Sequence, residues 1–272
     1  MNAVALIGDP VALSVSPPMQ RAAFDALGLP VSYVAIRVPR GDLATEFDRL
    51  RSDCIGLNVT RPLKEAVLPL LDSMSEEASL AGSVNTVVFM DGRAEGHSTD
   101  GHGFMTALAR RVKGIPPLSL ILGTGGAARA VAAALAKAGS SVVVTGRNDR
   151  AGRAMASDLG IRFVAPGGVR ETPDLLVNAT PLGGSPGELP PLDGVRLRPG
   201  SAVYDLVYRP RFTSLLRLAA ERGCTTIEGI EMLIEQGAGS FELWTGTPAP
   251  VAVMRTAAYQ ALAGRTSVGV AR

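Results

Sequence analysis

The 272-residue sequence is poor in the residues that build metal sites and nucleic-acid surfaces. It has two cysteines, Cys54 and Cys224, without a C-x-x-C spacing. They read as reduced, packed thiols, and neither a disulfide framework nor a metal site is expected. Its two histidines, His97 and His102, flank Asp100. Either has the chemistry of a base, but both read as surface loop residues. Charged residues make up 19% and the net charge is only +2. No basic run interleaves with aromatics, so nucleic acid is not an expected partner. The start, Met1 to Gly8, lacks a basic segment and a long apolar core, and reads as a strand rather than a secretory signal. No apolar run approaches the ~20 residues that span a bilayer. The expected setting is the cytoplasm, without a membrane partner.

What is present is a large apolar fraction, 46%, on a chain long enough for two compact domains. Short apolar strands alternate with helical patterns. Val4 to Ile7, Val31 to Val38 and Ile55 to Val59 read as strands. Helices are expected from Pro17 to Leu27, with Ser16 as cap, from Asp42 to Leu50, and after Lys64. Val84 to Phe89 reads as a strand leading to a hairpin turn at Asp91-Gly92. Gly96 to Gly103 reads as a loop, followed by a helix from Phe104 to Val112. The cluster Gly114-Ile115-Pro116-Pro117 marks a composition break, after which a second alternating series begins. Met232 to Leu243 and Met254 to Leu262 are helical patterns with no strand to follow, expected to pack on the first domain. The fold class is α/β, with parallel or mixed sheets.

Gly123-Thr124-Gly125-Gly126-Ala127-Ala128 fits the G-x-G-x-x-A dinucleotide pattern. It lies between the strand Leu118 to Leu122 and the helical pattern Ala130 to Ala138, where the pattern has physical meaning. Gly123 permits a tight turn, Gly125 lets a pyrophosphate approach the backbone, and Ala128 keeps helix and strand close. The helix start then offers free N–H groups to phosphates. An NAD enzyme carries Asp or Glu at the tip of the next strand, about 20 residues on. Here that strand ends Thr145-Gly146-Arg147-Asn148-Asp149-Arg150. Arg147 and Arg150 suit the 2′-phosphate of NADP, with Asp149 the one acid nearby.

A second polar set lies in the first half. Ser14 and Ser16 precede a helix start, where two hydroxyls could clasp a carboxylate or merely cap the helix. Asn58, Thr60 and Lys64 leave a strand end, the usual ligand edge of an α/β sheet. Asn85 and Asp100 lie near other strand ends. A lysine and an aspartate converging on a substrate hydroxyl would make a proton-transfer pair.

These stretches resemble the signatures of the shikimate dehydrogenase family. They are Ser14-Val15-Ser16-Pro17, Asn58-Val59-Thr60 with Pro62 and Lys64, Ala81 to Thr86, Thr99-Asp100-Gly101 and Gly123 to Arg129. Asn178 to Gly183, Tyr204 to Tyr208 and Gly229 to Gln236 continue the match in the family's order. The resemblance implies a substrate domain over residues 1–101, completed by 231–272, and a Rossmann-like NADP domain over 102–230. It implies Ser14 and Ser16 on the substrate carboxylate, and Asn58, Thr60, Asn85, Tyr208 and Gln236 on the ring hydroxyls and neighbouring groups. Lys64 and Asp100 match the catalytic pair. Thr180, Leu206 and Gly229 match positions near the nicotinamide, joining Gly123, Gly125, Gly126, Ala127, Ala128, Arg147 and Arg150 as cofactor residues. The implied reaction is reduction of 3-dehydroshikimate, a small carboxylated ring ketone, by NADPH in a monomer or homodimer. Gln20-Arg21, Ser98 and Gly146 depart from the family's usual His-Asn, Asn and Asn. They leave open a quinate or amino-analogue dehydrogenase using NAD. A cofactor-binding regulator without chemistry is the remaining alternative.

Overall fold

The apolar run Ala3–Gly8 forms strand β1, an interior strand of the first sheet that is buried on both faces. The computed structural model describes residues 2–264. Met1 and residues 265–272, which fall within the expected first domain, lie outside the described residues. The chain divides into two units. One holds the residues up to Gly103 and those from Leu233 onward, the other Phe104–Met232.

In the first unit β1 is followed by α1 (Ser16–Ala26), β2 (Ser32–Arg37), α2 (Leu43–Asp53) and β3 (Gly56–Val59). Then come β4 (Ser73–Met74), α3 (Glu76–Ala81), β5 (Thr86–Met90), β6 (Arg93–His97) and the start of α4 (Asp100–Ala109). The six strands run in the order β2-β1-β3-β5-β6-β4. β1 is parallel to β2 and β3, whereas β5 is antiparallel to β3 and β6. The reversal at β5 decides the site. The carboxyl ends of β3 and β6 and the beginning of β5 all meet one edge of the sheet. Asp91 and Gly92, at φ 52° and 74°, make the tight turn between β5 and β6.

The second unit holds β7 (Leu118–Leu122), α5 (Gly126–Lys137), β8 (Ser141–Thr145), α6 (Asp149–Leu159) and β9 (Arg162–Val164). β10 (Leu175–Asn178), β11 (Ala202–Asp205), α7 (Ser214–Glu221), β12 (Thr225–Glu228) and the start of α8 (Gly229–Thr245) complete it. Its sheet order is β12-β11-β10-β7-β8-β9, all parallel. That is the doubly wound dinucleotide-binding order, with its switch point between β7 and β10. Near-continuous apolar strands such as Leu118-Ser119-Leu120-Ile121-Leu122 are what a sheet covered on both faces requires.

The rest of α8 and α9 (Val251–Gly264) belong to the first unit. α9 packs along α1, the Phe241 ring sits 4.9 Å from that of Phe24, and the Trp244 indole donates to the Val87 carbonyl at 3.0 Å. The approach is close. A Cβ on Gly56 would lie 2.4 Å from the Trp244 ring, and one on Gly103 would lie 2.4 Å from the Gln236 backbone nitrogen.

Several expected boundaries shift. No α-helix begins directly after Lys64; the next is α3, at Glu76. That stretch makes turns and a single 3-10 turn at Leu68–Leu70, because Pro69 removes an N–H donor and disfavours helical backbone before it. Ser16 does not cap α1. It is the first helical residue, and its own N–H donates to the Ser14 hydroxyl at 3.1 Å. Gly96 to Gly103 is not a loop, since β6 runs through His97 and α4 begins at Asp100. His97 is therefore a half-buried strand residue, not a surface loop residue. Gly101 and Gly103 are poor helix formers, and at Gly103 the close approach of Gln236 leaves no room for a larger residue. The glycine turn is shorter than expected, because α5 begins at Gly126.

Replacing Gly103 with alanine drives a methyl group into backbone, which cannot swing aside. We expect a destabilisation of about 1–3 kcal/mol, read as a lowered denaturation midpoint. An unchanged midpoint would show that α4 and α8 are loosely packed there.

Candidate active site

Asp100 heads α4, where the helix N-terminus favours an acid. Its carboxylate is 5% exposed, so it needs donors. Lys64 Nζ meets Oδ2 at 2.5 Å and Asn85 Nδ2 donates to Oδ1 at 3.0 Å. The lysine arrives from the turn after β3, and the amide from the residue just before β5. The Lys64 side chain remains 21% exposed, so the pair has one member open and one closed to solvent.

The Asn85 amide has a defined orientation. Its Oδ1 accepts from the Thr99 N–H at 2.9 Å, a group that can only donate. Its Nδ2 therefore faces Asp100, with Thr99 Oγ1 at 2.8 Å and Gln236 Oε1 at 3.0 Å as further acceptors. Gln236 is held in turn by donating to the Leu233 carbonyl at 2.7 Å. Behind this lies a buried layer that joins Asn58 to Tyr33, Thr86 and Ser240, three residues not named as site residues from the sequence. The Tyr33 hydroxyl donates to Asn58 Oδ1 at 2.7 Å, and Asn58 Nδ2 donates to the Asn85 carbonyl at 3.0 Å and Ser240 Oγ at 3.1 Å. Thr86 Oγ1 and Ser240 Oγ are 2.7 Å apart. Burial pushes the Tyr33 hydroxyl far above its ordinary pKa, so it stays a neutral donor. These partners lie up to 182 positions apart, and no local pattern joins them.

Lys64, Asp100, Asn85, Gln236 and Asn58 thus form one connected network. Ser14 lies at the α1 start, half-buried, beside the largely buried Ser16. Thr60 follows β3, its N–H donating to the Ile7 carbonyl at 2.9 Å. Gln20 is fully buried and donates to the Gly237 carbonyl at 2.8 Å, so it ties α1 to α8.

The second unit carries the other expected residues. Gly123 has φ +121°, and a Cβ there would lie 3.0 Å from the Ala179 carbonyl oxygen, at the switch point between β7 and β10. Gly125 caps α5 without a side chain, so no capping side chain bonds the first-turn N–H groups of Gly126, Ala127 and Ala128 among the described residues. Ala128 is buried against the sheet. Arg147 and Arg150 are exposed beyond β8, and among the described residues neither makes a hydrogen bond or ion pair. Asp149 is taken by Arg153 at 2.7 Å, which leaves both arginines available to an anion. These features fit a phosphorylated dinucleotide.

Thr180 donates through Oγ1 to Asn178 Oδ1 at 2.7 Å, and Asn178 donates to Asp205 Oδ1 at 2.8 Å. Asp205, fully buried, also accepts from the Val207 N–H at 3.0 Å and from Thr213 Oγ1 at 2.6 Å. Burial holds its carboxyl above the ordinary range, and these three donors pull it partly back. This acid ties the loop of Thr180 to that of Leu206 and Tyr208. Gly229 has no room for a side chain, because a Cβ would lie 2.5 Å from the Leu206 carbonyl oxygen. Tyr208 is half-buried in the second unit.

Thr213→Val removes both the donor to Asp205 and the side-chain cap of α7. A loss of about 2–4 kcal/mol is expected from the cap and the stranded carboxylate together. Denaturant titration should show Thr213→Ser close to the parent. Equal losses in the two variants would mean that the methyl, not the hydroxyl, matters.

Two family models match. Residues 6–87 fit the shikimate dehydrogenase substrate binding domain, and residues 229–259 fit the shikimate 5′-dehydrogenase C-terminal domain. The NADP-dependent shikimate dehydrogenase of Moorella thermoacetica is 44% identical over 98% of this chain and 96% of its own. The structure of shikimate 5-dehydrogenase from Thermus thermophilus, in complex with NADP(H) and shikimate, is 42% identical. It superposes with a TM-score of 0.90 over 96% of this chain and 100% of that one. Quinate dehydrogenase from Corynebacterium glutamicum, in complex with NAD, is 33% identical with a TM-score of 0.87, over 95% of this chain and 99% of its own.

Proposed function

Because the chain belongs to the shikimate dehydrogenase family, we propose that it catalyses the reversible reduction of 3-dehydroshikimate to shikimate with NADPH. The observation that carries the reading is the Lys64–Asp100 pair, braced by Asn85 at the ligand edge of the first sheet. We assign substrate binding to the first unit and cofactor binding to the second, in the cytoplasm.

NADPH, when bound, supplies the hydride that converts the ring ketone to an alkoxide. Lys64 Nζ then gives a proton to that oxygen, and takes it back in the reverse direction. Asp100 holds the ammonium in place through Oδ2, while Asn85 stops the carboxylate from turning. Ser14 and Ser16 bind the substrate carboxylate beside the α1 N-terminus. Asn58, Thr60, Asn85, Tyr208 and Gln236 serve the ring hydroxyls and neighbouring groups. Asn58 does so mainly by position, since its amide is already engaged by Tyr33 and Ser240. In the second unit Gly123, Gly125, Gly126, Ala127 and Ala128 cradle the pyrophosphate. Arg147 and Arg150 take the 2′-phosphate, and Thr180, Leu206 and Gly229 border the nicotinamide.

The test is nicotinamide absorbance with shikimate and quinate, each with NADP and NAD. Fastest turnover with shikimate and NADP is expected. Preference for quinate with NAD would replace the reading with that of the Corynebacterium relative. Lys64→Ala should lower turnover about 10²- to 10⁴-fold, with substrate affinity little changed. Near-parental turnover would remove the lysine from the chemistry. Arg147→Ala should weaken NADPH far more than NADH in a binding titration. Equal weakening would argue against a 2′-phosphate contact.

A further inference from the structure

Gly146, at the tip of β8, is a glycine that its backbone does not demand. It is absent from the residues at positive φ. Its neighbour explains it. A Cβ on residue 146 would lie 2.9 Å from Thr124 Cγ2 and 3.4 Å from Thr124 Oγ1. β7 pairs with β8 in parallel, Leu122 opposite Thr145, so the residues just beyond the two tips stand side by side. Thr124 therefore fills the space that a side chain at 146 would take.

Thr124 carries a hydroxyl at a branched Cβ, where rotation is restricted. Placing its methyl against Gly146 limits where the oxygen points. The residue is half-buried, and among the described residues its hydroxyl makes no hydrogen bond. The adjacent Thr145 hydroxyl is buried and also lacks a partner. A doubly wound nucleotide site reads the adenosine ribose at the tip of its second strand, next to the glycine turn. Arg147 follows Gly146 directly.

We propose that Thr124 is a cofactor-specificity residue, its hydroxyl donating to the 2′-phosphate of NADP from the space Gly146 leaves open. It gives the phosphate a neutral, directional donor beside the exposed charge of Arg147. Gly146 acts through Thr124, as a positioning residue. The inference rests on the NADP reading above.

The experiment is a fluorescence titration of NADPH and NADH against the parent, Thr124→Ala, Thr124→Ser, Gly146→Ala and the Thr124→Ala/Gly146→Ala double variant. Circular dichroism confirms that each is folded. Thr124→Ala should weaken NADPH about tenfold, as for one hydrogen bond to a charged group, and NADH less than twofold. Thr124→Ser should restore most of the loss. Gly146→Ala should weaken NADPH by displacing Thr124, and the double variant should be no weaker than Thr124→Ala alone. Full NADPH preference in Thr124→Ala, equal loss of both cofactors, or a Gly146→Ala penalty that persists undiminished in the double variant would each overturn the proposal. A parent that does not prefer NADPH would overturn the NADP reading itself.

Discussion

A carboxylate removed from water must be met by donors, and Asp100 is the acid around which the first unit is arranged. Its two oxygens face two different segments, Lys64 after β3 and Asn85 before β5. Both reach the same sheet edge only because β5 runs against β3. A parallel β5 would carry Asn85 to the opposite edge and leave half of the carboxylate unbonded. The cost of an unpaired buried charge therefore couples sheet topology to the chemistry.

The second unit solves a related problem without a cation. Asp205 is buried among an amide, a hydroxyl and a backbone N–H. Its charge is tolerated because neutral donors converge on it, and their convergence holds two loops together at the carboxyl ends of β10 and β11. One acid is set beside a lysine whose side chain stays partly open to solvent. The other is walled in, and its work is to keep loops in register.

Elements with a strong local pattern were legible in the sequence. The strands β1, β2, β3, β5, β7 and β8 announce themselves by apolar runs, and the glycine turn by its place between β7 and α5. The short parts were not legible. α3, α6, α7, β9 and β12 have weak patterns, and Gly101 and Gly103 conceal the start of α4. For the site, residue type and strand ends pointed to Lys64, Asp100 and Asn85. Tyr33, Thr86 and Ser240 could not be found that way, because a hydroxyl in a helix or strand has no signature until the fold supplies its partner. Thr213 was missed for the same reason. Gly146 reads in sequence only as a departure from the family's usual Asn, and the Thr124 side chain beside it shows what occupies the gap.

The lengths of the outer strands have a consequence for how the chain behaves in a crowded solution. Of the four sheet edges among the described residues, β4 has two residues, β9 three and β12 four. Such short edges offer too few unpaired groups to template a foreign strand. β2, with six residues, is the long one. It carries Arg37, paired to Asp9, at its end. A charge there discourages strand addition, so the molecule's resistance to edge-to-edge aggregation depends mostly on this single border.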